Sequence, residues 1–489
     1  MNRQAFGDWR RRLCGASLFA LLTAGTAIAG QAPGPLASPN TPISSADRVY
    51  TAEQFSNTVS VIDPAKNQML GVIRLGDPQP GNLSPLYRGQ LLVHGLGASP
   101  DGRLLAVVSI GSNSVSFIDT ATNKVLHTTY VGRAPHEAQF TRDGAEAWLT
   151  VRGEAYISVI DTKTFTEKAR IPTENGPGMP TFSPDGRYAY ICSSFTPQLQ
   201  IFDAATHAEI ARQPQFSPFC PNIAATPDGQ QVWYTLKDTG KTVVIRAKPP
   251  FDTLATIESG PITNHVNFVD TAAGAFAYVT VGGLDQVQVY RRSDFKKVAT
   301  IPVGKVPHGI WPSGDGTRVY VGLENADRVI AIDTATNTVI ASIPIGQGPQ
   351  ALFYVPGAAP AGGAGGLQSL DVAGRAAHLE LRAPGHHEGE APTSVTLFDQ
   401  GLTQVLQAVV SGLQPKAGYQ LALAEHADGS GALQPLASFT TNPAGAAVVL
   451  AAGPIRQVVE GDGPTPPRFL VIQAADDGKL VQVQAPAKP

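Results

Sequence analysis

Cysteine, methionine and tryptophan are scarce in this chain, at 3, 3 and 4 of 489 residues. There is no paired CxxC, no CxxCH haem attachment and no cupredoxin-like Cys-His-Met cluster. HExxH, a Walker loop and GxSxG are missing too, which removes the commonest sequence signs of hydrolase and nucleotide chemistry. Charge is sparse, with 15% charged residues against roughly 25% in ordinary domains. The formal charge of -3 is so near balance that nothing points to nucleic acid. No apolar run after residue 29 is long enough to span a bilayer. Glycine (50) and proline (40) are abundant instead, the profile of many turns and few amphipathic helices.

The first 29 residues read as an export signal. Arg10, Arg11 and Arg12 form a basic start, Leu13 to Ile28 a short apolar stretch, and Ala27-Ile28-Ala29 a small-residue cleavage site. The same arginines are compatible with a twin-arginine signal. The expected location is the periplasm or outside the cell.

Asp-Gly corners then recur at a fixed spacing. Asp101-Gly102, Asp143-Gly144, Asp185-Gly186 and Asp228-Gly229 lie 42, 42 and 43 residues apart, and Asp315-Gly316 lies 87 further on. The last gap is two steps, with a degenerate corner near Ala273-Gly274. An Asp-Gly pair between apolar runs marks a tight turn, because glycine accepts positive φ. A fixed period of this size built from strands means propeller blades. Each repeat carries four short strands, and the third ends in Asp63, Asp119, Asp161, Asp203 or Asp333. Arg246 and Arg291 replace that Asp in units five and six. The first unit, Arg48 to Gly76, has three strands only, and Gln350 to Tyr354 supplies one more after the last unit. Pairing the two closes a ring of seven blades without an open edge.

Tyr278-Val279-Thr280, Trp148-Leu149-Thr150, Tyr190-Ile191-Cys192, Trp233-Tyr234-Thr235 and Tyr320-Val321-Gly322 occupy second strands, and Ile332-Asp-Thr-Ala-Thr-Asn337 follows a third. Residues 47–356 thereby resemble the YVTN-repeat seven-bladed propellers, exported bacterial and surface-layer proteins. The resemblance implies the fold; activity does not follow, since the fold hosts unrelated chemistries. Related propellers include lactonases, the haem-binding propeller of nitrite reductase and the copper-binding propeller of nitrous oxide reductase. Residues 30–46 read as a linker, 357–369 as a Gly/Ala/Pro linker, and 370–489 as a β-sandwich-like domain of about seven short strands.

Register locates a candidate site. Seven residues before each corner Asp stand His94, His136, Gly178, Pro221 and His308. His265 holds the place in unit six and Gln350 in the closing strand. Equivalent positions in successive blades form a ring at the entry of the innermost strands. Converging imidazoles suit copper or another transition metal, or a bound ligand. Alternatively each ring nitrogen bonds a carbonyl of the next blade and the histidines are structural. Arg152, Lys237, Glu324 and Asn325 are expected at the same rim, with Asn222, Asn264 and Met179 beside it, together making a mixed-charge pocket mouth. Asp77 to Leu92 is an insertion long enough for a lid. Cys192 and Cys220 fall on one face of adjacent blades, and an oxidising compartment favours their disulfide. Free thiols, one of them a soft ligand, or a plain buried Cys192 remain open.

Three functional readings follow: a ligand- or metal-binding propeller, a periplasmic copper- or haem-dependent oxidoreductase needing a partner protein for electrons, and a non-catalytic envelope scaffold that recruits proteins or glycans. A lactonase is a weaker fourth.

Overall fold

The protein is described by a computed structural model that covers residues 42–76, 91–271, 273–360, 363–385, 392–399, 404–453, 455 and 466–486. The export signal and residues 77–90 of the insertion lie outside the described residues. Seven four-stranded antiparallel sheets are present, one per repeat. In blade 1 the strand Pro349–Val355 pairs with Arg48–Glu53, matching Val49 to Tyr354 and Tyr50 to Phe353. The innermost strand of this blade thus comes from the far end of the propeller sequence.

The repeated residues do repeated work at the turns. Gly102, Gly144, Gly186, Gly229 and Gly316 have φ between +62° and +74°. In each corner the glycine N–H donates to the residue three earlier, as Gly102 does to Ser99 at 2.9 Å. The Asp before it accepts from the next strand, as Asp101 does from the Arg103 N–H at 3.1 Å. The third-strand aspartates close a second turn in the same way, Asp119 accepting from the Thr122 N–H at 2.8 Å and Asp333 from that of Thr336 at 2.8 Å. Asn67, Asn123 and Asn337 sit left-handed in these turns at φ +49° to +57°, a conformation asparagine tolerates better than bulkier residues. Between blades the second strands pack large side chains; Trp148, Trp233, Tyr190, Tyr234, Tyr278 and Tyr320 are all buried to within 2%.

The C-terminal residues form one antiparallel sheet of eight strands that nearly closes on itself, rather than two facing sheets. Its interior holds Leu381, Leu397, Leu406, Leu421, Leu470 and Ile472. No helix among the described residues is long and apolar enough to cross a membrane.

Cys192 and Cys220 are joined, with Cα atoms 6.0 Å apart and a sequence separation of 28. In the chain-entropy picture a loop of this length stabilises by roughly 3–4 kcal/mol. Cys192→Ala/Cys220→Ala should therefore melt several degrees lower than the parent, and unfolded, non-reduced parent protein should show no free thiol. Two titratable thiols in that assay would rule the bond out in solution.

Candidate functional site

The innermost strands of blades 2, 3, 4, 6 and 7 change register at the ring positions. Pairing skips between Val93 and Leu96, Pro135 and Ala138, Pro177 and Pro180, Thr263 and Val266, and Pro307 and Ile310. Such a bulge turns a side chain out of the ordinary alternation. Here it releases His94, His136, His265 and His308 toward the axis, where they line one cavity of about 60 Å³ with Gln350, Pro221, Arg152 and Lys237. The cavity also receives Glu137, Phe219 and Ala351.

The imidazoles come as two pairs. His94 and His136 have ring centroids 4.7 Å apart, and so do His265 and His308. Backbone carbonyls of the next blade fix two of the rings: His136 Nδ1 lies 3.0 Å from Gly178 O and His308 Nδ1 lies 2.7 Å from Gln350 O. A carbonyl only accepts, so Nδ1 carries the proton and Nε2 of both rings presents a lone pair. The structural and the functional role of these histidines coexist, one on each nitrogen. Thr150 Oγ1 donates to the same Gly178 O at 2.6 Å, and Thr280 Oγ1 donates to the backbone oxygen of His308 itself at 2.8 Å.

His94 Nε2 stands 3.0 Å from His136 Nε2, and its Nδ1 stands 3.3 Å from Gln54 Oε1. With Oε1 on that side the His94 proton belongs on Nδ1. Two lone pairs then face each other across 3.0 Å. A shared proton or a metal ion between them relieves the repulsion. At the usual bond lengths of about 2.0–2.1 Å this separation is that of two adjacent ligands on one ion. Among the described residues no three His, Cys, Asp or Glu side chains converge enough to hold a metal by themselves. The four imidazoles stand as two pairs.

Burial holds all four histidines well below the usual imidazole range, His308 at about 3. After burial the causes are positive neighbours: His136 and then Arg152 act on His94, Arg152 on His136, His308 and then Lys237 on His265, and Lys237 on His308. Neutral imidazole is the form that ligates metals. Burial also pushes the Glu137 carboxyl up to about 8. Its carboxylate is directed at blade 2, where a Cβ on Gly95 would stand 2.0 Å from Oε2, so that position has to be glycine.

The remaining expected residues divide. Asn222 donates to Met179 Sδ at 3.0 Å and accepts from the Val266 N–H at 2.9 Å, tying neighbouring innermost strands. Asn264 donates to Pro307 O at 2.8 Å. Both are spent between blades. Glu324 and Asn325 do not form an open mouth. Glu324 accepts from Gln407 at 2.6 Å and Asn325 donates to Ser394 Oγ at 2.9 Å, both in the C-terminal domain. That domain sits on the ring face: Phe398 stacks on Phe55 at 3.8 Å, and Val409 and Ala446 pack on Ile262 and Val306. His378 lies 3.0 Å from Asp327 and Lys305 3.5 Å from Glu380. Among the described residues these contacts come from blades 1, 5, 6 and 7. Sequence reasoning missed Glu137, Phe219, Gln54 and the cap. For Glu137 and Gln54 there was one signal, a polar residue next to a ring position or strand end in an otherwise apolar inner wall.

No family model matches the chain. It is similar to the seven-bladed beta-propeller protein Rv1057 of Mycobacterium tuberculosis, 25% identical over 298 residues that span 52% of this chain and 75% of that protein. Among solved structures it resembles a functionally unknown protein from Desulfotomaculum acetoxidans, at TM-score 0.53 and 13% identity, covering 63% of this chain and 98% of the other. Kuenenia stuttgartiensis hydrazine synthase aligns at TM-score 0.49 and 18% identity, over 56% of this chain and 92% of that one. The likeness to Rv1057, together with the seven sheets, supports a seven-bladed all-β propeller.

Proposed function

We propose that this seven-bladed propeller is an exported protein of the YVTN-repeat type whose capped, histidine-lined cavity binds a transition metal and a small ligand. The observation that carries it is the His94–His136 pair: two imidazoles buried in neutral form, with Nε2 atoms 3.0 Å apart and the far nitrogen of each already engaged. Anchoring the second nitrogen on a carbonyl or amide is how proteins orient metal-ligating histidines. Copper is the metal of choice, since nitrogen donors rank it above the other divalent ions. His265 and His308 have the same centroid separation, with only His308 anchored through Nδ1. A haem does not fit, because about 60 Å³ admits an ion and a few light atoms only. When bound, the metal would supply Lewis acidity or one-electron chemistry; the chain supplies neutral donors, a sealed cavity and two cations.

The test is a titration of metal-stripped protein with Cu(II) and Zn(II), followed by metal analysis after desalting. One to two equivalents should be retained. His94→Asn/His136→Asn should retain at least one equivalent less, because asparagine can replace the Nδ1–H bond but offers no Nε2. Parent protein that emerges metal-free, or a double variant that holds as much as the parent, would end the metal reading.

A further inference from the structure

We infer that the cavity binds a small oxyanion or carboxylate between Arg152 and Lys237. This rests on the reading of the cavity as a ligand site but not on the presence of a metal. Arg152 follows the second strand of blade 3, Glu146–Val151, and Lys237 follows that of blade 5, Gln231–Leu236. Both strands end on the ring face, so both long side chains reach the same chamber from different blades. Neither head group has an ion pair or hydrogen bond among the described residues; Lys237 Nζ has only the Phe219 ring, 5.9 Å from its centroid.

Two cations in one small chamber are costly unless something negative joins them. The nearby carboxylates are otherwise occupied. Glu137 accepts from the Leu96 backbone and is directed at blade 2. Glu324 is bonded to Gln407 through Oε1 while its Oε2 is unpaired among the described residues, and Asp238 is held by Asn442; both carboxylates favour the Lys237 ammonium through space, but neither forms an ion pair with it. The four neutral imidazoles offer no charge. Burial lowers the Lys237 pKa first; Glu324 and Asp238 favour its charge, and Arg152 opposes it. A single anion would answer both cations at once, with the guanidinium gripping two oxygens and the ammonium a third contact. Cavity size restricts it to a few heavy atoms, so nitrite, formate or acetate rather than a nucleotide or sugar phosphate. The same anion would compensate a divalent ion on the imidazole pairs, which otherwise would add positive charge beside two cations.

The experiment uses full-length, metal-stripped protein and isothermal titration with sodium nitrite and sodium acetate at constant ionic strength, with sodium chloride as the reference. At least one of the two should bind saturably where chloride does not. Arg152→Gln and Lys237→Gln should each weaken binding by about tenfold or more, and Arg152→Lys should recover part of it. Circular dichroism identifies a variant that fails to fold, in which case the other position carries the comparison. No saturable binding by the parent, or unchanged affinity in folded Arg152→Gln and Lys237→Gln, overturns the inference. Because the protein is metal-free throughout, anion binding without copper uptake would leave this inference standing and remove the metal reading; copper uptake without anion binding would do the reverse.

Discussion

A chain ended after Gly348 should fail to give a cooperative melt, while one ended after Gly357 should keep a folded propeller. The difference between them is the strand Pro349–Val355, whose seven residues are all buried. Leu352, Phe353, Tyr354 and Val355 are at most 3% exposed. At about 1.5–3 kcal/mol for each large apolar side chain, losing the strand removes on the order of 5–10 kcal/mol, comparable with the whole stability of a typical domain. It also bares the edge of Arg48–Glu53, whose ladder would be left half-paired. Tyr354 Oη donates to Asp47 at 2.6 Å, a buried bond lost in the same cut. Both truncations lack the C-terminal domain, so the comparison isolates the strand. Thermal melts followed by circular dichroism decide it. Equal transitions for the two chains would mean that the first blade does not depend on its late-arriving strand.

Metal-free protein should also lose stability steeply below neutrality. The unfolded chain protonates its histidines near pH 6.5, whereas the folded chain holds the four ring histidines neutral far below that. Below pH 6.5 the unfolded state therefore binds more protons, and stability falls as pH falls. Each site contributes up to about 1.4 kcal/mol per pH unit, and the buried carboxyls of Glu53 and Glu137, protonated up to about 8 in the folded chain, offset two of the four histidines, which leaves roughly 3 kcal/mol per unit. The slope ends for each site when its folded pKa is reached, at about 3 for His308. Arg152 and Lys237 stay charged across this range and keep the depression in place. Denaturant melts at pH 7.5, 6, 5.5 and 5 measure the slope. His136→Asn/His308→Asn should remove most of it; a double variant with the parent's acid slope would show that the ring does not control acid stability.

The blades were readable in the sequence because their turns impose a chemical demand on particular residues. Gly102 and its four counterparts must take positive φ, and Asp101 must cap the backbone behind it, so the pair survives wherever the corner does. Counting back from it reached His94, His136 and His308, since the innermost strands of blades 2, 3 and 7, Val93–Ala98, Pro135–Phe140 and Pro307–Pro312, are all six residues long. His265 was reached with an offset of one, because blade 6 has lengthened strands, Thr263–Thr271 and Gly274–Val281, and no Asp at its corner. The bulges at the ring could not be seen, because a register slip leaves the residue count unchanged. Nor could the cap. The C-terminal domain does not repeat, and its contacts with the propeller, Gln407 to Glu324 and Phe398 to Phe55, are single meetings between distant residues with no period to betray them. For the same reason Asn222 and Asn264 looked like site residues: in sequence, a polar side chain that ties two blades is indistinguishable from one that faces a cavity.

The joined cysteines explain why the histidines occupy an arc rather than the full circle. Gly178 holds the ring position in blade 4, and a Cβ there would stand 3.1 Å from both Cys192 O and Cys220 O and 3.0 Å from Ser194 Oγ. The cross-link fixes those two carbonyls against each other, so they cannot retreat to admit a side chain. The next position is Pro221, directly after the bridged Cys220. One side of the hub has thus been given over to bracing, and the chamber inherits a built-in handedness. It has an imidazole pair on either side of Gln350 and no imidazole at blades 4 and 5, so whatever enters meets nitrogen donors on two flanks and Lys237 of blade 5 on the remaining side.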